Sequence, residues 1–228
     1  MVVPRCLVII PDGNRRWARS HNLTRSIGHA RGLVNCRTIA AEAFNLGVEH
    51  VVIWAASEAN LKNRDSQEIA NLFVLLKTEL TYRSKQREKI GVHLCGILQK
   101  QNGRIDTEFE DLVRGVQQRT AHFDQHLTIL FGYSGVTELV VAAEKAAKEG
   151  PPTEASIRKH LWTSHLPDVD LLIRTGVEGD PHWSDLLLPW QLRNTQLYFS
   201  EVYWPAFTVQ HLQGAFEDYS ARVRRAGA

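Results

Sequence analysis

The 228-residue chain predicts a single-domain α/β fold, with a mostly parallel central sheet flanked by helices. Three observations carry that expectation. Short apolar runs alternate with stretches of helical periodicity along the chain. The turns that gather arginines and acids follow the first, second and penultimate apolar runs, where parallel sheets bind ligands. No composition shift, internal repeat or low-complexity segment divides residues 1–228, a length that suits one large core.

Cys6-Leu7-Val8-Ile9-Ile10 reads as a buried strand that stops at Pro11, which fixes φ and has no N–H for a ladder. Asp12, Gly13 and Asn14 then supply a carboxylate, a residue free to take positive φ, and an amide, and Arg15, Arg16 and Trp17 follow. A tight turn at a strand end presents backbone N–H groups in a concave nest that suits an anion. Arginines add charge-assisted donors to it. A carboxylate is out of place in such a nest unless a divalent cation bridges it to the anion, and diphosphate with Mg²⁺ fits the whole set. Asp-Gly-Asn is also ordinary turn chemistry, paired arginines commonly form a solvated face, and Trp17 suits a plain core. The crowding of strand, turn, acid and cations favours the phosphate loop.

Gly28 to Gly47 has apolar residues at Ala30, Leu33, Val34, Ala40, Ala43 and Phe44, an amphipathic helix that a glycine ends. His29 falls in the first turn of that helix, where an anion is favoured. Val51–Trp54 is the second strand, and Ala55 to Arg64, with Ser57, Asn60, Lys62 and Arg64, is the loop at its C-terminal end. Residues 67–90 form a long helix with Ile69, Leu72, Phe73, Leu76 and Leu80 on one face. Then come a strand at Val92–Ile97, a helix at Asp106–His122, a strand at Leu127–Tyr133 and a helix at Gly135–Lys148. A short helix at Glu154–Leu161 follows the break at Pro151-Pro152. Asp170–Ile173 is a buried strand ending in Arg174-Thr175-Gly176, followed by an irregular loop, Val177–Trp183. Gln196–Phe199 is the last strand, and Val209–Arg225 the last helix.

The net charge of +2 gives no general reason to expect nucleic acid or membrane partners. Cys6, Cys36 and Cys95 have no metal-ligand spacing and read as reduced thiols of a cytoplasmic protein. No stretch approaches the roughly twenty apolar residues of a membrane span. Met1–Arg5 lacks the form of a signal peptide.

Asp12-Gly13-Asn14-x-Arg16-Trp17-Ala18, followed by Arg25 and Gly28-His29, resembles the signature of the cis-prenyltransferases, the undecaprenyl diphosphate synthase family. Ser57-x-x-Asn60, the run Asp170–Gly176, Trp190-Gln191, Leu197-Tyr198-Phe199 and Trp204-Pro205 continue the match in family order across essentially the whole chain. The resemblance implies a cis-prenyltransferase fold whose hydrophobic tunnel is walled in part by the 67–90 helix. It implies isoprenyl diphosphate substrates, Mg²⁺ carried by Asp12, and a homodimer. Asp12 and Asn60 would be catalytic, and Gly13, Asn14, Arg15, Arg16, Arg25, His29, Ser57 and Arg64 would hold the donor's diphosphate. Trp17, Trp54, Leu61, Leu130 and Phe131 would line the substrate pocket. Arg174, His182, Ser184 and Gln196 would serve the acceptor's diphosphate, with Arg225 and Gly227 reaching the partner subunit's site.

The chain departs from the family pattern in four places. Arg15 stands where a second glycine is usual, and Gly179–Trp183 replaces an expected arginine. The metal-binding glutamate is Gln196, a poor Mg²⁺ ligand. Leu130 and Phe131 bring bulk where long-chain members have small residues, which implies products of the order of C10 to C15. The rebuilt acceptor side is similar to that of the branch that couples an allylic diphosphate to dimethylallyl diphosphate head-to-middle, giving lavandulyl-type skeletons. In that case Arg15 would supply the missing positive charge from the opposite wall. Two alternatives stand beside this reading. One is a regular head-to-tail short-chain enzyme that uses isopentenyl diphosphate. The other is a non-catalytic accessory subunit, against which the retained Asp-Gly-Asn loop and Asn60 argue.

Overall fold

A computed structural model of the protein describes residues 1–85, 89–96, 107–182 and 186–222. Strands form where apolar and β-branched residues run together, and amphipathic helices connect them. In chain order these are β1 (Cys6–Ile10), α1 (Asn14–Ser20), α2 (Arg25–Asn45), β2 (His50–Ser57), α3 (Glu58–Asn63), α4 (Ser66–Lys85) and β3 (Ile90–Cys95). There follow α5 (Thr107–Thr120), β4 (Gln125–Tyr133), α6 (Gly135–Glu149), α7 (Glu154–His160), β5 (Leu171–Arg174), β6 (Gln196–Phe199) and α8 (Val209–Ala221). A 3₁₀ turn at Trp204–Ala206 precedes α8.

The strands of the described residues form one sheet in the order β3-β4-β2-β1-β5-β6. Every pairing is parallel, so the expected mostly parallel sheet is parallel throughout. β1 lies at the middle, with β2 on one side and β5 on the other, so the chain changes direction of travel across the sheet there. A crevice outside the carboxyl ends of the strands is the ligand-binding place in such a sheet.

The core has two layers because successive strand residues point to opposite faces. Leu7, Ile9, Ile53, Ile129 and Phe131 pack with α2, α4, α5 and α8. Val8, Ile10, Trp54, Leu130 and Tyr133 pack on the other face against Leu166, Leu187 and Leu188.

Several predicted bounds move, each for a local reason. The helix α1, absent from the sequence reading, begins directly after Gly13, which takes φ 100° without a side-chain cap. Thr24 caps α2 by accepting from the Ile27 N–H, so α2 starts at Arg25 and His29 falls in its second turn instead of its first. β2 continues to Ser57, and the supposed Ala55–Arg64 loop contains α3, closed by a capping box between Ser57 and Asn60. Ile90 belongs to β3, so the helix predicted to run to residue 90 overran. Arg222 is extended after α8, short of the predicted end at Arg225. Residues 86–88, Ile97, Asp106 and the end of the chain from Val223 lie outside the described residues.

At the amino ends of β2, β3 and β4, four histidines cluster. His93 Nε2 lies 3.1 Å from His126 Nδ1, the His93 and His165 rings stack at 3.9 Å, and His50 stacks on His126 at 5.0 Å. Burial, and then the neighbouring rings, push His50 and His93 down to about 4 and His165 to about 3.

Candidate active site

A pocket of about 940 Å³ opens at the carboxyl ends of β1, β2 and β5. Asp12, Gly13, Asn14, Arg15 and Arg16 line it from the β1 turn and α1, and Arg25 and His29 from α2. Trp54, Ser57, Asn60 and Arg64 line it from β2, α3 and the residue after α3, and Arg174 from the end of β5. Segments widely separated in sequence therefore converge on one cavity, as the donor-site residues were expected to do.

The β1 turn is held from behind. The Asp12 carbonyl accepts from the Trp204 backbone N–H at 2.9 Å and from the Thr175 hydroxyl at 2.8 Å. Trp204 Nε1 in turn donates to the Gly32 carbonyl at 2.8 Å, which ties the turn to α2. Gly13 could carry no side chain here: besides its positive φ, a Cβ would stand 2.7 Å from Tyr203 Cδ1.

The charges divide into two groups. On the side of α2 and α4, Glu68 is almost fully buried beneath the cations. Its Oε1 is 3.2 Å from both His29 Nε2 and an Arg64 nitrogen, while its Oε2 is 3.6 Å from Arg25 and 4.0 Å from Arg15. One carboxylate thus gathers four basic groups, an excess of positive charge suited to a polyanion. Burial, then the Arg64 charge, holds His29 below its usual pKa, with Glu68 opposing only in part. Glu68 is the main residue that the sequence reading missed. It looked like an ordinary first-turn acid, and only its hydrogen bond from its own N–H to Asp65, an N-cap contact, hints that the turn is fixed there.

On the other side, Asp12 Oδ1 accepts from the Gly13 N–H at 2.6 Å and pairs with Arg16 at 3.1 Å, and Oδ2 accepts from Arg174 at 3.1 Å. Arg16 also pairs with Glu178 at 2.7 Å and lies over the Tyr203 ring, whose hydroxyl donates to Glu178. Burial pulls the Arg16 pKa down, but the Glu178 hydrogen bond and the Asp12 charge outweigh it, so the net shift is upward. Asp12 is thus paired with two arginines of its own chain, which the sequence argument for a bridging cation did not foresee. Three of its roughly four lone-pair positions are taken. The one left open suits a Mg²⁺ held by a single carboxylate and substrate oxygens, not an all-protein cage. Consistent with that, the described residues contain no group of three or more His, Cys, Asp or Glu placed to hold a metal.

Several expected assignments are corrected. Arg15 turns toward Glu68 on the donor side, so it does not supply charge to the acceptor wall. Gln196 starts β6, three residues before Phe199, the register partner of Arg174, about 10 Å down the sheet. Its Oε1 accepts from Arg222, and within this chain it does not reach the pocket. His182 meets Arg174 through its backbone carbonyl, at 2.6 Å, while its ring pairs with Asp180. Ser184, Arg225 and Gly227 lie outside the described residues.

A second, apolar cavity of about 100 Å³ adjoins the first, sharing Pro11, Asn14, His29 and Ala55 with it. Leu33, Leu72, Leu76, Ile129 and Phe131 are among its walls. Of the expected pocket residues, Phe131 lines this cavity and Trp54 the polar one. Leu130 is excluded, because it points to the other face of the sheet. Leu61 packs against the core, and Trp17 stacks on His21; neither lines a described cavity.

A family model described as putative undecaprenyl diphosphate synthase matches residues 10–227. The isoprenyl transferase of Geobacter sulfurreducens is 35% identical, over 99% of this chain and 93% of its own length. That of Rickettsia sibirica is 38% identical, over 97% of this chain and 96% of its own. Among solved structures, lavandulyl diphosphate synthase from Lavandula x intermedia, in complex with dimethylallyl diphosphate, matches with a TM-score of 0.86 at 29% identity, covering 99% of both chains. A probable undecaprenyl diphosphate synthase from Campylobacter jejuni shares the fold, with a TM-score of 0.78 at 22% identity over 100% of both chains. With its parallel sheet, its cluster of basic residues at the switch point and a match over nearly its whole length, the chain belongs to the undecaprenyl diphosphate synthase family of cis-prenyltransferases.

Proposed function

We propose that the protein couples an allylic diphosphate, dimethylallyl or geranyl, to dimethylallyl diphosphate head-to-middle, releasing diphosphate and a branched lavandulyl-type product. The observation that carries this reading is the acceptor side of the pocket. Asp12 is the one acid that lines it among the described residues, bound to Arg16 and Arg174. The likeness to lavandulyl diphosphate synthase supports it.

The chemistry needs charge stabilisation more than acid–base catalysis. The donor's C1–O bond breaks and its electron pair leaves with the diphosphate, while the acceptor's alkene carbon C2 bonds to C1. The resulting cation then loses a proton, for which the departing diphosphate is the nearest strong acceptor. Arg25, His29 and Arg64, held by Glu68, would stabilise the charge that develops on the leaving group, aided by the backbone N–H groups at the start of α1. Arg16, linked to Asp12, would join them on the donor's diphosphate, and Arg174, oriented by the same carboxylate, would hold the acceptor's. Asp12 would be the residue to hold a Mg²⁺, whose Lewis acidity would help the diphosphate depart. Arg225 and Gly227 would complete the partner's site in a homodimer.

A second reading is head-to-tail coupling with isopentenyl diphosphate; the relatives' name, isoprenyl transferase, fits either mode. Incubation with dimethylallyl diphosphate alone or with geranyl diphosphate, with and without Mg²⁺ and without isopentenyl diphosphate, separates the two. Branched alcohols after dephosphorylation are expected. Linear products that appear only when isopentenyl diphosphate is added would overturn the head-to-middle reading.

A further inference from the structure

Asn60 and Arg64 reach the pocket from α3 and the residue after it, a segment with little of its own to hold it. α3 has six residues and none of them is fully buried; Leu61 is its contact with the core. An isolated helix of under about a dozen residues is marginal in water. The strand before it gives a loose start, because the β2–β4 ladder shifts register between Trp54 and Ala56 and again between Ala56 and Ser57. Within the segment, Ser57 and Asn60 close the capping box, and Asn60 Oδ1 also accepts from Arg64 at 3.0 Å. These contacts shape α3 without fixing where it stands.

A side chain from a distant helix supplies that fixing. The Thr137 hydroxyl, in the first turn of α6, donates to Glu58 Oε2 at 2.6 Å. Glu58 Oε1 pairs with Lys62, one turn along α3, at 2.5 Å. Hydrogen bonds from Lys62 and then Thr137 hold the Glu58 carboxyl below its usual pKa, so the acceptor stays charged and the bond strong. The two helices meet because their strands do: Ser57, which begins α3, is the register partner of Tyr133, which ends β4 just before α6. α6 is the firm partner. Its Glu138, fully buried, accepts from the Tyr133 hydroxyl at 2.5 Å and from the Thr163 N–H at 2.8 Å. Thr137 itself lines neither described cavity.

A shift of about 1 Å in a substrate-facing group can cost a reaction a hundredfold. Building on the assignment of Asn60 and Arg64 to the donor's side of the pocket, we propose that Thr137 is a positioning residue. Through Glu58 it sets where α3 stands, and so where Asn60 and Arg64 meet the donor.

Thr137→Val keeps the shape of the side chain and removes the hydroxyl. Diphosphate release is measured with saturating dimethylallyl diphosphate, alone and with isopentenyl diphosphate, so that either coupling mode is seen. Turnover is expected to fall about tenfold, as for one lost hydrogen bond to a charged group. Thr137→Ser, which restores the hydroxyl, is expected to recover it. Amide hydrogen exchange should quicken in α3 and stay as it was in α6, a contrast that general destabilisation would not produce. Unchanged turnover in folded Thr137→Val overturns the proposal, and so does a loss that Thr137→Ser shares. Should Thr137→Val fail to fold, Glu58→Ala cuts the same link from the other end, and unchanged turnover there has the same force. If Asn60→Ala and Arg64→Ala also turn over normally, the assignment of those two residues fails, while exchange in α3 still decides whether Thr137 holds the helix.

Discussion

Asp12 and Glu68 have opposite tasks within one pocket. Asp12 faces the substrate side and links Arg16 to Arg174. Asp12→Ala should reduce turnover at least about a hundredfold, as for the loss of other preorganised electrostatic groups, with little change in thermal midpoint. Diphosphate release and a melting curve on the same preparation check both parts. Glu68 lies behind the cations and is a counterion for the empty site. Glu68→Gln leaves the half-buried Arg64 and His29 facing one another without an anion. Because Arg15 and Arg25 are largely exposed and relax into solvent, the loss is nearer ~2 kcal/mol than the ~3–5 of a fully buried pair. That corresponds to about 4–8 °C in a protein of this size. Added inorganic diphosphate should then raise the midpoint of the variant more than that of the unaltered protein, since the ligand restores the missing charge. An equal rise in both would show that Glu68 does not serve the anion site.

The pleat of β4 decides which of two adjacent residues bears on substrate size. Phe131 faces α2 and α4 and lines the apolar cavity, while Leu130 is buried against the other layer. Phe131→Ala should therefore admit longer donors, and Leu130→Ala should leave donor preference alone and destabilise by about 2–5 kcal/mol. Product profiles and melting curves of the two variants distinguish them. This alternation could be read from the sequence, because neighbours within a regular strand point to opposite faces of the sheet, yet Leu130 and Phe131 were expected to act together. The strands themselves were legible as apolar runs, and the β1 turn as a gathering of an acid and cations at a strand end. The helix α1 was not, since Gly13 offers no side-chain cap and Arg15-Arg16 resembles a solvated turn. The packing of α2 on that turn was also hidden. At Gly32 a Cβ would stand 2.2 Å from Asn14 Oδ1, so Gly32→Ala should displace the amide and weaken donor binding, measurable as a raised KM.

For the molecule as a whole, the histidine cluster at the far end of the sheet couples stability to acidity. Its members have pKa values below the unfolded value of about 6.5, as low as about 3 to 4. Below pH 6.5 the unfolded chain binds protons that the folded one refuses, so stability is full above that pH and declines as pH falls toward 4. Thermal midpoints in buffers between those limits should drop steadily, and replacing His93 and His165 by Gln should flatten the slope. A flat profile in the unaltered protein would contradict the burial of neutral imidazoles.

The bracing of the β1 turn also sets an order of events during synthesis. The β1 start is held by Asp170, whose Oδ2 accepts from the N–H groups of Arg5 and Cys6, and the Asp12 carbonyl waits for Thr175 and Trp204. Each partner is made some 160 to 190 residues later. A ribosome that has released only the first half of the chain has exported Arg15, Arg25, His29, Arg64 and their partner Glu68, but neither Thr175 nor Trp204, which hold the Asp12 carbonyl. Parallel pairings between such distant segments are slow to form. The loop that dominates the sequence is thus completed late, and a nascent chain arrested before Trp204 emerges should carry no ordered diphosphate cradle.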